Sequence, residues 1–293
     1  LKARSDLVRW DDVRDSGQKA CIILVSHEWV SWEHADPDGD QLQVLCRVLH
    51  RLASGQIKRV EMDWFAQQMF STNIVRTAGE WQEELAHAYL WIDWVSMPQP
   101  NAAKRAVPKL ACKELGEIEA ASSLAIQSIP AYVERSDFVL VLAPPCVHRN
   151  RKSMMCYRTW RRRGWCLLEL FTSFFSRRKS APLLVVTSAE GTPFFLSPQA
   201  ALTLAPGHAD FSCCQRNHNF TDSRGKVVGC DKVRVREILR PLLQAKVDYL
   251  FLSSGQPDEI RQARVRARIF AAMEHWFMRG LPTRESGRRA AWG

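Results

Sequence analysis

The sequence has no long hydrophobic run. Its longest apolar stretches, such as Phe138 to Ala143 and Cys21 to Val25, are far shorter than the roughly 20 residues that a helix needs to cross a bilayer. The first residues also lack the pattern of a secretory signal peptide. A chain that begins with Leu1 rather than Met indicates a piece of a longer polypeptide, and we predict no membrane span in this piece.

Regular cysteine spacing is also missing. The nine cysteines are an odd number without the close, repeated spacing of a disulfide framework, which favours reduced thiols and a cytoplasmic protein. One group, Cys213, Cys214, His218 and Cys230, has the residue types of a zinc site. Adjacent cysteines lack the spacing of two to four residues that structural zinc sites usually show, so the sequence favours a loop with free thiols and no metal.

A calcium loop is excluded as well. Asp36, Asp38 and Asp40 alternate as in an EF-hand, but Gln41 stands where that loop needs glycine and Arg47 where it needs glutamate.

Acidic residues are absent between Asp137 and Glu169, although this stretch holds several of the basic residues behind the net charge of +10. They are Arg149, Arg151, Lys152, Arg158, Arg161, Arg162 and Arg163. Without a recognisable nucleic-acid motif around them, we interpret them as a solvated basic face. A polyanion site is the alternative, and a nucleic-acid partner is not expected.

Four short apolar runs predict buried strands, each followed by a turn or a helical stretch: Cys21–Val25, Tyr89–Val95, Phe138–Leu142 and Leu183–Thr187. Their near-continuous hydrophobicity is typical of parallel strands that helices cover on both faces. The predicted class is therefore α/β.

Helical spacing appears between and after these strands. We predict helices over 40–52 with Leu42, Leu45, Leu49 and Leu52 inward, over 113–135 with a kink at Pro130, from Trp165, over 231–250 and over 258–278. A short helix is expected within 193–205 and a polar loop over 213–229. The aromatic residues of 53–88 predict extra helices on the domain edge.

Ordered motifs along the chain resemble the Toll/interleukin-1 receptor (TIR) family. Val25-Ser26-His27-Glu28-Trp29, Gly39-Asp40-Gln41-Leu42 and Leu90-Trp91-Ile92-Asp93 with Met97-Pro98-Gln99 are similar to its first strand, first helix, second strand and following loop. Ala125 to Ile129 and Ser136 to Pro144 are similar to a later helix and strand. Gly164-Trp165-Cys166-Leu167-Leu168-Glu169-Leu170 matches the family's "WC..EL" helix start most closely.

The resemblance implies an α/β fold with a flavodoxin-like parallel sheet flanked by helices, with helical insertions and a helical C-terminal extension. The corresponding domain spans 1–252, with its core at about 20–190 and the insertion at about 53–88. Residues 253–293 are expected to form a C-terminal helix and basic tail.

Enzymatic members of the family cleave nicotinamide from NAD+ and use the glutamate four residues after the tryptophan, which is Glu169 here. A carboxylate stabilises the oxocarbenium-like ribosyl cation and an aromatic wall shields it from water. The resemblance thus implies an NAD+ glycohydrolase with an assembly-dependent signalling or defence role. It also implies that Glu169 is the catalytic residue, that Trp165, Ser26, His27, Trp29 and Asp93 bind NAD+ as the substrate, and that no metal or cofactor is needed.

The sequence leaves other roles open for these residues. A glutamate in the first turn of a helix is favoured by the helix dipole, a histidine at a strand end often hydrogen-bonds to a loop, and Asp93 could orient the loop beside it. Glu28 would repel a dinucleotide phosphate unless arginines of 149–163 compensate. The alternative function is a non-catalytic scaffold that self-associates or binds other TIR-like domains through an exposed loop, Val95 to Pro100.

Overall fold

The computed structural model describes residues 8–15, 20–70, 73–107, 112–177, 181–197, 203–218 and 229–283. Contacts within the chain divide it into two compact units. The first unit comprises 1–160 and 181–197, and the second comprises 161–180 and 198–293.

The first unit alternates strands and helices. Its elements are α1 (Trp10–Asp15), β1 (Cys21–His27), α2 (Asp40–Ala53), β2 (Arg59–Glu61), α3 (Trp64–Phe70), β3 (Val75–Thr77), α4 (Ala78–Leu85), β4 (Ala88–Ile92), α5 (Asp93–Ser96), α6 (Pro100–Ala106), α7 (Cys112–Gln127), α8 (Ile129–Arg135), β5 (Phe138–Leu142), β6 (Cys146–Val147), β7 (Met154–Met155), α9 (Tyr157–Trp160), β8 (Leu183–Val186) and β9 (Phe194–Leu196).

The main sheet has the strand order β4-β1-β5-β8-β9. The first four strands are parallel and β9 is antiparallel to β8. All five residues of β5 are buried, because this strand lies in the middle of the sheet and has neighbours on both sides. The predicted α/β class with a mostly parallel sheet is confirmed.

The core on one sheet face is formed by alternate strand residues and the helix that follows β1. Ile23 and Val25 of β1 pack with Leu45, Val48 and Leu52 of α2. The prediction for α2 was wrong at one position, since Leu42 is 45 % exposed. The buried side begins instead at Gln41, an amide that the apolar pattern could not identify as inward-facing.

The insertion at 53–88 contains more than helices. β2 and β3 form a two-stranded antiparallel sheet, and a capping box between Thr77 and Glu80 starts α4. Trp81 is fully buried, as predicted for a packing residue, but Trp64 is 74 % exposed.

One strand prediction and two helix predictions differ from the structure. The strand predicted to reach Val95 ends at Ile92, because Asp93 starts a short helix there. Within 193–205, where a short helix was expected, the structure has strand β9 at Phe194–Leu196, and residues 198–202 lie outside the described residues. The long helix predicted over 113–135 is divided at Ser128, next to Pro130.

The second unit is helical in its described part. Its elements are α10 (Gly164–Phe175), a 3-10 turn (Pro206–His208), α11 (Ser212–Gln215), α12 (Asp231–Phe251), α13 (Pro257–Ala272) and α14 (Glu274–Phe277). Phe175 of α10 packs edge-on against Phe270 and Phe277. Helix α12 contacts both α10 and α13, so the boundary predicted at 252–253 falls inside this unit.

Two further predictions fall partly on residues outside the described ranges. Most of the predicted loop at 213–229 and the basic tail after Thr283 lie outside the described residues. Within the described ranges, no helix combines the length and the hydropathy that crossing a bilayer requires.

Candidate functional site

Two of the predicted site residues meet at one edge of the main sheet. His27 ends β1, and Asp93 follows directly after β4, which is the parallel neighbour of β1 with Val25 opposite Ile92. Parallel neighbours end at the same sheet edge, so the two side chains come together although 66 residues separate them. His27 Nε2 lies 3.0 Å from Asp93 Oδ1.

The Asp93 carboxylate is the centre of a hydrogen-bond network. Its Oδ2 accepts a hydrogen bond from Trp29 Nε1 at 2.8 Å, and its Oδ1 accepts one from the backbone N–H of Trp94 at 2.6 Å. Burial alone would raise the pKa of Asp93. The charge of His27 and the hydrogen bonds outweigh it, so the pKa lies below its usual value and the carboxylate is ionised at neutral pH.

The other ring nitrogen of His27 faces a second acceptor. His27 Nδ1 lies 2.8 Å from Gln41 Oε1, while Gln41 Nε2 donates to the carbonyl of Glu28 at 3.0 Å. Each ring nitrogen of His27 therefore lies within hydrogen-bond distance of a side-chain oxygen, so both are engaged by contacts inside the protein. These contacts favour a role in holding the loop after β1.

A pocket with a volume of about 90 Å³ lies beside this network. Its apolar walls come from the ends of β1, β4 and β5 and from α2 and α5. Its polar groups are His27 at the end of β1, Gln41 of α2, and His34 and Asp36 in the loop between them. The rings of His34 and Trp94 lie in its lining with their centroids 4.2 Å apart.

His34 is neutral in this pocket at neutral pH. Burial, with the positive charges of Arg105 and Arg149, lowers its pKa despite the opposing charge of Asp36. Its Nδ1 also accepts the backbone N–H of Asp36 at 3.0 Å, which requires a lone pair on that nitrogen. The pocket thus presents two aromatic faces and no net positive charge from His34, a surface suited to a flat, weakly polar ring.

Ser26 and Glu28 serve contacts within the first unit. Ser26 is fully buried, and its hydroxyl accepts a hydrogen bond from Trp160 Nε1 at 3.0 Å. Glu28, also buried, forms an ion pair with Arg151 at 3.0 Å. From the sequence, Glu28 is expected to repel a phosphate unless an arginine of 149–163 compensates its charge. Arg151 is such an arginine.

Trp165 and Glu169 belong to the second unit. Trp165 Nε1 donates to Asp231 Oδ2 at 3.3 Å. Helix α10 begins at Gly164, so half-buried Glu169 lies in its second turn and not in the first turn, where the sequence suggested that the helix dipole favours an acid. The predicted cleft shared with Ser26, His27 and Trp29 stays a prediction, because those residues belong to the first unit.

The loop predicted to be an exposed interaction surface is different in the structure. Met97 and Pro98 are buried, and Gln99 Nε2 donates to the carbonyl of Asp93 at 3.2 Å. This segment therefore supports the Asp93 network instead of projecting from the molecule.

Sequence reasoning missed Gln41, His34 and Trp94 as members of the site. Gln41 appeared only in a family-like motif and as a mismatch to a calcium loop. Its only signal in the sequence was its position in the first turn of a predicted amphipathic helix. For Trp94, the signal was its position directly after an aspartate at a strand end.

Comparisons of this chain with protein-family models, with curated proteins and with solved structures found no match.

Proposed function

We propose that this chain is a TIR-like NAD+ glycohydrolase, and that the pocket beside the His27–Asp93 pair binds one planar ring of the dinucleotide. The observation that carries the proposal is the position of this pocket. It lies at the carboxyl ends of β1, β4 and β5, where the strand order reverses around β1. Open α/β sheets bind ligands at this point.

The strand order gives separate support. Numbered within the main sheet, the order is 2-1-3-4-5, which is the flavodoxin-like order, with the last strand antiparallel. A volume of about 90 Å³ is small beside the roughly 300–1,000 Å³ of sites that enclose a whole drug-sized ligand. The proposed fit is therefore one ring in the pocket, in contact with His34 and Trp94, with the rest of the dinucleotide outside the pocket.

Glu169 is the proposed catalytic carboxylate, on the basis of the motif that begins at Gly164. In the reaction, the bond between the ribose carbon and the nicotinamide nitrogen breaks, and the electron pair leaves with nicotinamide. The carboxylate stabilises the ribosyl cation, water adds to the carbon, and a proton goes to solvent. The products are nicotinamide and ADP-ribose.

Nicotinamide release from NAD+ by concentrated protein tests the proposal. We expect Glu169→Gln to lower kcat by at least about 100-fold, the usual loss when a transition-state charge is left unstabilised. Trp94→Ala is expected to raise KM more than it lowers kcat. The matched control is Glu61→Gln, which changes a partly exposed carboxylate on β2. No nicotinamide release by the wild type, or equal rates for wild type and Glu169→Gln, would refute the mechanism.

A scaffold is the second candidate function, and one observation favours it. Trp64, Phe65 and Met69 of the short helix α3 are 74 %, 56 % and 61 % exposed, which makes an apolar surface of three large neighbouring side chains. Such surfaces are typical of protein-binding sites. Sedimentation of wild type and the double variant Trp64→Lys/Phe65→Lys would separate the candidates. Self-association that the variant loses, without NAD+ cleavage by the wild type, supports the scaffold.

A further inference from the structure

The second unit brings together four cysteine and histidine side chains whose spacing in the sequence is unlike that of most structural zinc sites. Cys213 and Cys214 lie on α11, His218 follows three residues after that helix, and Cys230 directly precedes α12. One ligand atom from each of the four lies within 4.8 Å of all the others.

The distances fit a tetrahedral metal centre. The sulfur of Cys213 lies 3.9 Å from the sulfurs of both Cys214 and Cys230, and the latter two are 3.7 Å apart. A zinc ion with four tetrahedral ligands and Zn–S bonds of about 2.3 Å separates its sulfurs by about 3.8 Å. A disulfide would join only two of the three sulfurs, at about 2.05 Å, and would leave the histidine unexplained.

The histidine supplies an independent observation. His218 Nδ1 is buried, and no atom of the described residues hydrogen-bonds to it. Burying such a polar atom without a partner is unfavourable, and a nitrogen of the same ring lies within 4.8 Å of the three sulfurs. Together the two observations point to a metal ligand.

The backbone around His218 is shaped to bring its ring back to the cysteines. Asn217 and His218 both have positive φ angles, 50° and 57°, which side-chain-bearing residues adopt rarely. The His218 N–H donates to the Cys213 carbonyl at 2.8 Å, and the Asn217 N–H donates to the Cys214 carbonyl at 3.1 Å. Strained backbone of this kind clusters at ligand sites.

The surroundings also suit bound thiolates. The backbone N–H of Asp231 donates to the sulfur of Cys213 at 3.4 Å. Cys230 stands at the N-terminus of the 21-residue helix α12, where the helix dipole favours negative charge.

We propose that Cys213, Cys214, His218 and Cys230 bind one zinc ion in a structural site. The protein fills all four positions, so none is left for a substrate, as is typical of structural zinc and not of catalytic zinc. Binding releases the thiol protons to solvent. The ion fixes α11 to the start of α12. Through Asp231, which accepts the hydrogen bond of Trp165, it also sets the position of helix α10.

Metal analysis of the full chain, purified under reducing conditions without chelator, tests the site. We expect about one zinc per wild-type chain. The same content is expected for Cys46→Ser, a control at an exposed cysteine on α2. His218→Ala and Cys230→Ser should lose the zinc on dialysis against a competing chelator. His218→Cys should keep it, because zinc also accepts four thiolates.

A thiol count on the wild type keeps the test independent of whether the variants fold. The count is made on the folded wild type without denaturant. Removal of zinc by a strong chelator should make three more thiols reactive, and added zinc should protect them again. Wild type that fails to bind zinc when it is supplied, equal zinc in His218→Ala and wild type, or a disulfide among the three cysteines in the purified protein would overturn the proposal.

Discussion

At the scale of one residue, close packing explains why the family-like motif begins with glycine, at Gly164. A Cβ at this position would lie 2.0 Å from Cζ of Phe211, whose ring is fully buried. Arg163, just before it, donates from Nη2 to Ser212 Oγ at 2.7 Å, which fixes the segment against the start of α11. The glycine is therefore required by packing, whatever chemistry Glu169 performs.

Gly164→Ala is expected to destabilise the protein by about 1–3 kcal/mol, the usual result of overpacking a filled core. The control is Gly79→Ala in α4, where a Cβ meets nothing within 4 Å. Alanine is favoured over glycine in a helix, so this variant should gain up to about 1 kcal/mol. Chemical denaturation measures both changes, and a neutral Gly164→Ala would show that Phe211 moves aside freely.

The Asp93 network predicts a pH dependence of stability. The pKa of Asp93 is lowered in the folded state, so its stabilising contribution is present above the pKa of an unfolded aspartate, about 3.9. This contribution disappears as the pH falls through the lower folded pKa. Asp93→Asn should cost about 1–3 kcal/mol at pH 6, as expected for lost hydrogen bonds to a charged group.

The free energy of unfolding of both proteins, measured by urea denaturation between pH 3 and 6, checks this prediction. The difference should begin to shrink below about pH 4, where the aspartate of the unfolded chain takes up its proton, and should disappear only below the lower pKa of the folded carboxylate. Asp38→Asn is the control, because Asp38 pairs with Arg149 at an exposed position and surface pairs contribute little. A difference that stays constant over the whole pH range would contradict the assigned role.

At the scale of elements, apolar patterns predicted the strands better than they predicted helix faces and strand ends. The bounds of β5 agree residue for residue, because a run of five apolar residues with two valines fits the length and composition of a buried strand better than those of a helix. Leu42 and Asp93 were misplaced for a common reason. Gln41 faces inward and β4 ends before Asp93 where both side chains form hydrogen bonds with His27. The periodicity of apolar residues carries no information about such contacts.

The insertion at 53–88 provides a prediction at this scale, because Trp81 is the largest of its side chains in the buried core cluster. The ring of Trp81 lies 5.0 Å from that of Phe138 and 6.2 Å from that of Phe195, between centroids. Trp81→Ala should therefore cost about 3–5 kcal/mol. Trp64→Ala in the same insertion should change stability by less than about 0.5 kcal/mol, since this side chain is mostly exposed.

Thermal and urea denaturation of the two variants measure the comparison. Equal losses would mean that α3 packs against something in solution, and the exposed apolar surface would then be an interface. No loss for Trp81→Ala would show that the insertion does not support the core.

At the scale of the whole molecule, the division into two units was the least predictable feature. The resemblance assigned Trp165 and Glu169 to the same domain as His27, because the motifs follow one another along the chain. Contacts place α10 with α12 instead, and this pairing joins residues more than 60 positions apart, as in the hydrogen bond from Trp165 to Asp231. The four proposed zinc ligands were likewise visible in the sequence, but a turn with positive φ angles decides whether they converge.

Because the proposed zinc site belongs entirely to the second unit, removing the metal should affect the two units differently. Hydrogen exchange measured with and without a zinc chelator tests this. Amides of α11 and of the first turns of α12 should exchange at least about 10-fold faster without zinc, since local opening no longer has to release a metal. Amides of β1 and β5 should be unchanged, because their hydrogen bonds lie within the main sheet of the first unit.

The same chelator added to His218→Ala is the control and should produce no further change. Faster exchange in β1 and β5 would show that the metal stabilises the molecule as one cooperative unit, and unchanged exchange in α11 would show that the cluster holds no structural ion.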